Sequence, residues 1–290
     1  MDDKSIGMTY LEGRSLFRKE LKPLFEVKEI DFYFKTILKS FFKIDPTAIA
    51  LDPHHDFNKS QEDKLGKALE HFLSEKPLQY IIGKSYFRDL TLEVNKSVLI
   101  PRPETEELVS WVLEDHNELS QNLTVLDCGT GSGCIAIALA KEQTKFEVFA
   151  VDIDPAVLEV GIQNAFENNA QVKFIKQDIL NLESLDMKVN IIVSNPPYIP
   201  PSEQIEMKPN VLKHEPHLAL FVPEEDPLIY YRSILEYGMS HLVKKGLIYF
   251  EINPRFLTEM KNLILSYGMY TVEEQKDIFD KMRMLKVQKK

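Results

Sequence analysis

"TVLDCGTGSGCIAIALA", residues 124–140, decides the fold. An apolar run ends in Asp127, three alternate glycines follow at Gly129, Gly131 and Gly133, and an apolar helix-forming stretch opens at Cys134. Glycine lets the chain turn sharply and pass close to a ligand, and the first turn of the helix behind it carries unpaired N–H groups. The stretch therefore reads as strand, loop and helix, with a nucleotide-type pocket at the carboxyl end of the strand. A Gly-rich loop alone is also what a tight strand-to-helix turn uses, so the next strand matters. In "FEVFAVDID" that strand ends at Asp152, nineteen residues after Gly133. This is close to the roughly 20-residue spacing at which a carboxylate grips ribose hydroxyls. Asp154 reads as the N-cap of a helix opening at Pro155.

Outward from this stretch, periodicity divides the chain. Strands at 123–127, 146–151, 171–176, 189–194, 246–251, 269–274 and 283–288 alternate with helical stretches, which predicts an α/β fold with a seven-stranded, mostly parallel, Rossmann-like sheet covered by helices on both faces. Residues 13–75 instead carry apolar positions at helical spacing, as in "DFYFKTILKSFF" and "EDKLGKALEHFL", with a break at Asp45-Pro46, and read as a small helical bundle. Between them, "LTLEVNKSVLI" alternates around a turn centred on Asn95 and reads as a linking β-hairpin. After "PRPETE", the stretch "TEELVSWVLEDH" begins with the acidic residues a helix N-terminus favours. The expected domains are a helical one at 1–76, a hairpin linker at 77–104 and the sheet domain at 105–290.

Bulk properties narrow the function. The 290 residues are 44% hydrophobic, enough for a large core. No apolar run reaches the roughly 18 residues that span a bilayer, and the start "MDDKSIGMTYLEG" has no leader-like pattern, so a cytoplasmic chain is expected. A net charge of −10 argues against gripping nucleic acid by its phosphates. Cys128 and Cys134 lack zinc-site spacing and read as small buried hydrophobes. His214 and His217 in "KHEPHLAL" have the look of metal ligands, but Pro216 breaks a helical face and no third ligand accompanies them, so no metal is expected. The acidic run "PEEDP" reads as a solvated turn.

A second stretch raises the chemistry. In "VNIIVSNPPYIPPSEQ", residues 189–204, a buried strand stops at Ser194-Asn195 before two prolines that cannot extend a sheet. One fixed amide, Asn195, thus stands beside the ring of Tyr198 on a stiff turn, although a proline-stiffened loop without function would look the same. The spacing of the glycines is G-x-G-x-G and not the dinucleotide G-x-G-x-x-G, no P-loop lysine is present, and Asp127 suits a ligand bearing an ammonium group. The loop resembles motif I of the class I S-adenosylmethionine-dependent methyltransferases, whose ligand is cationic at its sulfonium and amine. In "VKFIKQDIL", Asp178 followed by Ile179 sits where that fold contacts adenine. With such a donor in place, the Asn195 oxygen and the Pro196 carbonyl can each accept one N–H of a planar –NH2 group, and Tyr198 can cover it by stacking, its hydroxyl incidental. The expected mechanism is direct in-line transfer, with the proton lost to solvent afterwards.

The NPPY stretch resembles methyltransferases of DNA adenine and of protein glutamine alike. Longer stretches separate them: "KPLQYIIGKSYFRDLTLEVNKSVLIPRPETEELV" (76–109) and "HEPHLALFVPEEDPLIYYRSI" (214–234) closely resemble the release-factor glutamine methyltransferase family, as does the helical N-terminal part. The resemblance covers nearly the whole chain. It implies transfer of methyl from S-adenosylmethionine, leaving S-adenosylhomocysteine, to N5 of the glutamine in the Gly-Gly-Gln loop of class I peptide chain release factors. It places Asp127, Gly129, Thr130, Gly131, Ser132, Gly133, Asp152, Asp178, Ile179 and Asn195 on the donor. Asn195, Pro196, Pro197 and Tyr198 hold the glutamine, with Asn195, Pro196 and Tyr198 carrying catalysis. Arg102 and Glu104 line the substrate entrance; from sequence alone they serve equally as a capping loop. The implied enzyme is a monomer that touches neither nucleic acid nor membrane and takes no metal. Two rivals stand behind it, a nucleic-acid adenine methyltransferase and a catalytically idle S-adenosylmethionine-binding regulator. The chain departs from the family pattern at "FEINPRF", where Glu-Ile-Gly with a nearby Gln is common, and at Asp280, where a Gly-Lys-x-Arg pattern usually has glycine.

Overall fold

The computed structural model describes residues 7–290, which form two compact units. The first runs through Gly83 and includes 208–214; the second comprises 84–207 and 215–290. In the first, helices α1 (Tyr10–Leu21), α2 (Val27–Phe42), α3 (Ala48–Leu51), α4 (Lys59–Leu73) and α5 (Leu78–Ile82) surround a core that includes Phe17, Leu21, Ile30, Phe34, Ile37 and Phe72. Thr9 and Asn58 begin α1 and α4 with reciprocal capping boxes, so local sequence fixes both starts.

The second unit opens with a hairpin of β1 (Lys84–Phe87) and β2 (Leu90–Glu93). Its turn is Arg88-Asp89, so the expected turn centred on Asn95 does not close the hairpin. Asn95 makes a separate turn, its Oδ1 accepting from Ser97 N at 2.8 Å. Arg88 holds a positive φ of 49°, and its N–H donates to Glu106 and its guanidinium to Glu142 and Ser110.

Beyond the hairpin, the chain continues as α6 (Pro103–Asp115), β3 (Leu123–Cys128), α7 (Cys134–Glu142), β4 (Phe146–Asp152), α8 (Pro155–Glu167), β5 (Val172–Lys176), β6 (Val189–Ser194), α9 (Pro209–His214), α10 (Ile229–His241), β7 (Leu242–Glu251), α11 (Leu257–Ser266), β8 (Tyr270–Lys276) and β9 (Met282–Lys289). Helix α9 belongs to the first unit, where Lys213 pairs with Glu75 and His214 meets the Ser74 carbonyl. The seven strands lie in the order β5-β4-β3-β6-β7-β9-β8, parallel from β5 to β7 and antiparallel at β9 and β8. This is the mostly parallel sheet the alternation predicted.

Alternation along the strands feeds two cores. Val125, Val148, Ile191 and Val193 face one layer with α6 and α7, whereas Leu126, Val151, Ile192 and Ile248 face the other with α10 and α11. From β3 the chain runs outward to β4 on one side, and β6 returns on the other. Such a reversal leaves a crevice beyond the carboxyl ends of the central strands. Among the described residues no helix is long and apolar enough to cross a membrane.

Candidate active site

The crevice holds a cavity of about 550 Å³, walled by the loops that follow β3, β4, β5 and β6 and by residues 96–102. After β3, Gly129, Gly131 and Gly133 all have positive φ, of 75°, 55° and 82°. A side chain at Gly129 would place its Cβ 3.1 Å from the Ile179 Cδ1, so glycine there also lets two loops approach. The turn is tied to β4, because Gly129 N and Thr130 N both donate to the Val151 carbonyl. Asp152, at the end of β4, accepts from Gly131 N at 3.1 Å and from Asp154 N at 3.2 Å. Burial nevertheless pushes its carboxyl above the ordinary range. Asp154 caps α8 by accepting from Ala156 N, as its place before Pro155 predicted. Asp178 caps the turn after β5 through Leu180 N at 2.8 Å, and with Ile179 it reaches the cavity wall.

Asp127 takes a different place from the one its spacing implied. It is 0% exposed and is not on the cavity wall; the Thr130 hydroxyl donates to its Oδ2 at 2.6 Å, and its Oδ1 has no hydrogen-bond partner among the described residues. Burial pushes this carboxyl up to about 7 against the pull of Thr130. It braces the glycine loop from beneath.

On the other side of the cavity, the buried Ser194 hydroxyl donates to the Cys128 carbonyl at 2.6 Å and ties the end of β6 to the end of β3. Asn195 follows and lines the cavity with Pro197. Its Nδ2 donates to Thr105 Oγ1 at 3.1 Å, which leaves Oδ1 with no protein partner among the described residues. Thr105, in the first turn of α6, donates its hydroxyl to Glu251 Oε2 at 2.6 Å. Tyr198 donates to Glu251 Oε1 at 3.2 Å. Its hydroxyl is therefore engaged and not incidental. Glu251, at the end of β7, is 1% exposed; burial raises its pKa, while Thr105, Arg283 and Tyr198 draw it down.

The cavity wall thus brings together Gly129, Thr130, Gly131, Ser132, Asp152, Asp178, Ile179, Asn195, Pro197 and Arg102 of the expected residues; Asp127, Gly133, Pro196, Tyr198 and Glu104 are not on it. Gly133 instead starts α7, and the Arg102 guanidinium donates to both oxygens of the buried Glu215, at 2.6 and 2.7 Å. Among the described residues no group of three or more His, Cys, Asp or Glu side chains could hold a metal ion. Sequence reading missed Thr105, Glu251 and Asn164. The last is fully buried and donates to the Ser132 and Glu93 carbonyls, clamping the glycine loop to the hairpin. The signal for Glu251 was present, since a lone carboxylate ends the apolar run "LIYFE".

Residues 107–214 match the Methyltransferase small domain and residues 24–83 the PrmC N-terminal domain. The chain is 41% identical to a release factor glutamine methyltransferase of Flavobacterium psychrophilum over 94% of its own length and 97% of the relative's. It is 37% identical to the one of Bacteroides thetaiotaomicron, over 92% and 96%. A Thermus thermophilus 16S rRNA methyltransferase, solved in complex with AdoMet and guanosine, superposes with a TM-score of 0.54 at 17% identity, over 71% of this chain and 50% of that one, a likeness of fold alone. At these identities over nearly the full length of both chains, the protein belongs to the release factor glutamine methyltransferase family.

Proposed function

We propose that this chain transfers the methyl group of S-adenosylmethionine to the side-chain amide nitrogen, N5, of the glutamine in the Gly-Gly-Gln motif of class I peptide chain release factors. The observation that carries the reading is the fixed Asn195 amide. With Nδ2 committed to Thr105, the oxygen is the atom left for a substrate –NH2 group. The Pro196 carbonyl supplies the second acceptor. Together they orient a nitrogen whose lone pair is delocalised and whose main need is alignment. Tyr198 stiffens the turn through Glu251 as well as offering its ring.

The residues fit the donor. The glycine loop permits close approach, Asp152 keeps lone pairs for a ribose diol, and Ile153, Ile179 and Leu180 give apolar walls for adenine. S-adenosylmethionine supplies an electrophilic methyl group on a sulfonium. Asp127, beneath the loop, acts by holding the loop's shape. Glu251 is fully buried, is absent from the cavity wall and already accepts two hydroxyls, so the proton leaves to solvent and not to a buried base. No residue of the site requires a metal. The net charge of −10 favours a protein substrate over nucleic acid.

The helical N-terminal unit, roughly residues 1–76, recognises the release factor and leaves the donor to the second unit, in keeping with cavity walls drawn wholly from residues beyond 95. Incubation with methyl-labelled S-adenosylmethionine and a release factor should label the Gly-Gly-Gln glutamine by mass spectrometry and spare a Gln→Asn control. An unlabelled release factor, or equal labelling of the control, would overturn the proposal. Deleting residues 1–76 should spare donor affinity and abolish activity on intact release factor.

A further inference from the structure

The orientation of Asn195 depends on two groups outside both sequence motifs. Thr105 is 2% exposed and its hydroxyl has one proton to give. Glu251 accepts a hydroxyl at each oxygen, Thr105 at Oε2 (2.6 Å) and Tyr198 at Oε1 (3.2 Å), so the Thr105 proton is directed to the carboxyl group. The face of Thr105 Oγ1 turned to Asn195 is therefore a lone pair, and at 3.1 Å only an N–H can meet it. A flipped Asn195 would set two oxygens against each other with no proton between them, in a buried place where such a mismatch is costly. Tyr198, at 3.2 Å, gives Glu251 its second hydroxyl donor and anchors the same turn from the other side.

We propose that Thr105 and Glu251 are positioning residues for methyl transfer: the carboxylate sets the direction of the Thr105 hydroxyl, and the hydroxyl holds the Asn195 amide with its oxygen toward the substrate nitrogen. The inference rests on the proposed function. It explains why a carboxylate is kept at the buried end of β7 although it does not reach the cavity wall. A valine at 105 keeps the shape of threonine and removes the acceptor. A glutamine at 251 keeps the shape of glutamate and can donate to Thr105, which reverses the direction of the chain.

The test is single-turnover methylation of a Gly-Gly-Gln release factor, with donor affinity by calorimetry and the Asn195 side-chain amide followed by NMR. Thr105→Val should lower the rate about 10²-fold while donor affinity holds, and it should displace the Asn195 amide resonances. Thr105→Ser should restore most of the rate and the resonance positions. In an Asn195→Ala background, Thr105→Val should add no further loss, whereas a merely structural role would add its own. If Thr105→Val does not fold, Glu251→Gln is read by the same measurements. Wild-type rate in a folded Thr105→Val, or losses that add with Asn195→Ala, would overturn the inference and leave the proposed function standing. A wild-type enzyme that does not methylate the release factor would overturn both.

Discussion

Replacing Gly131 and Gly133 in turn by alanine separates a glycine needed for ligand approach from one needed for packing. Both sit at positive φ, 55° and 82°, where an L side chain costs about 1–2 kcal/mol. Beyond that the two differ. A Cβ at Gly131 meets nothing within 4 Å, and this residue lines the cavity. A Cβ at Gly133 would stand 3.0 Å from Ile137 Cδ1 and 3.4 Å from Gly161 Cα, so the fully buried Ile137 must shift in a packed core. Overpacking of this kind adds about 1–3 kcal/mol. The expected losses are then about 1–2 kcal/mol for Gly131→Ala and about 2–5 kcal/mol for Gly133→Ala. Each kcal/mol lowers the melting transition of a unit of this size by about 2–4 °C, which calorimetry resolves. Donor affinity should fall in the opposite order, because the Gly131 methyl enters the cavity and the Gly133 methyl does not. Equal melting shifts, or a Gly131→Ala protein that binds S-adenosylmethionine like wild type, would refute the reasoning.

Three further outcomes follow from the same contacts. Asn195→Ala should reduce turnover about 10²- to 10³-fold with donor affinity retained by calorimetry, and Tyr198→Phe should lose a smaller but measurable part, because it takes one of two hydroxyl donors from buried Glu251. The Asp127 carboxyl is raised from an ordinary 3.8 to about 7, so between those values the folded protein keeps a proton that the unfolded chain releases. Its contribution to stability is present below about pH 4 and is lost as pH rises through about 7; Asp127→Asn should therefore gain stability relative to wild type across that window, and urea unfolding curves that stay parallel at both ends would contradict this. Arg102→Met leaves the 1%-exposed carboxylate of Glu215 without the Nη2 group that donates to both its oxygens and should cost about 3–5 kcal/mol, with Arg102→Met/Glu215→Gln recovering part of the loss in chemical denaturation.

Strand positions were legible to within a few residues because the central parallel strands, buried on both faces, read as apolar runs, and because β3, β4 and β6 end at residue types that interrupt a strand. The glycines after β3, Asp152 at the end of β4 and Asn195 before its prolines are such endings. The hairpin turn was not legible, since Arg88-Asp89 lacks the Gly or Asn that marks a tight turn. What holds Arg88 at positive φ is a set of bonds to Glu106, Ser110 and Glu142, up to 54 residues away in sequence. Asp127 was placed correctly on its strand, but spacing along a strand end does not show that its side chain lies fully buried with one oxygen taken by the Thr130 hydroxyl. The allegiance of residues 208–214 to the helical unit likewise rests on Lys213 with Glu75 and His214 with Ser74, pairings that no local pattern announces.

The same division between local and distant causes bears on how the site is built. The separation of the glycine loop from Asn195 follows from backbone pairing, since Asp127 lies opposite Val193 in the β3–β6 register and Ser194 is bonded to the Cys128 carbonyl. That geometry is rigid and was written in two apolar runs. The direction in which the Asn195 amide points is set instead by Thr105, from a helix 90 residues earlier, and by Glu251, 56 residues later. Position and orientation are therefore under separate control. Substitutions at Thr105, which lines the cavity from the first turn of α6, can change the chemistry while the sheet stays as it is, and substitutions in the sheet core should lower stability before they alter the site. Helix α6 and the end of β7 are accordingly the places where variation among related chains would tune rate without altering fold.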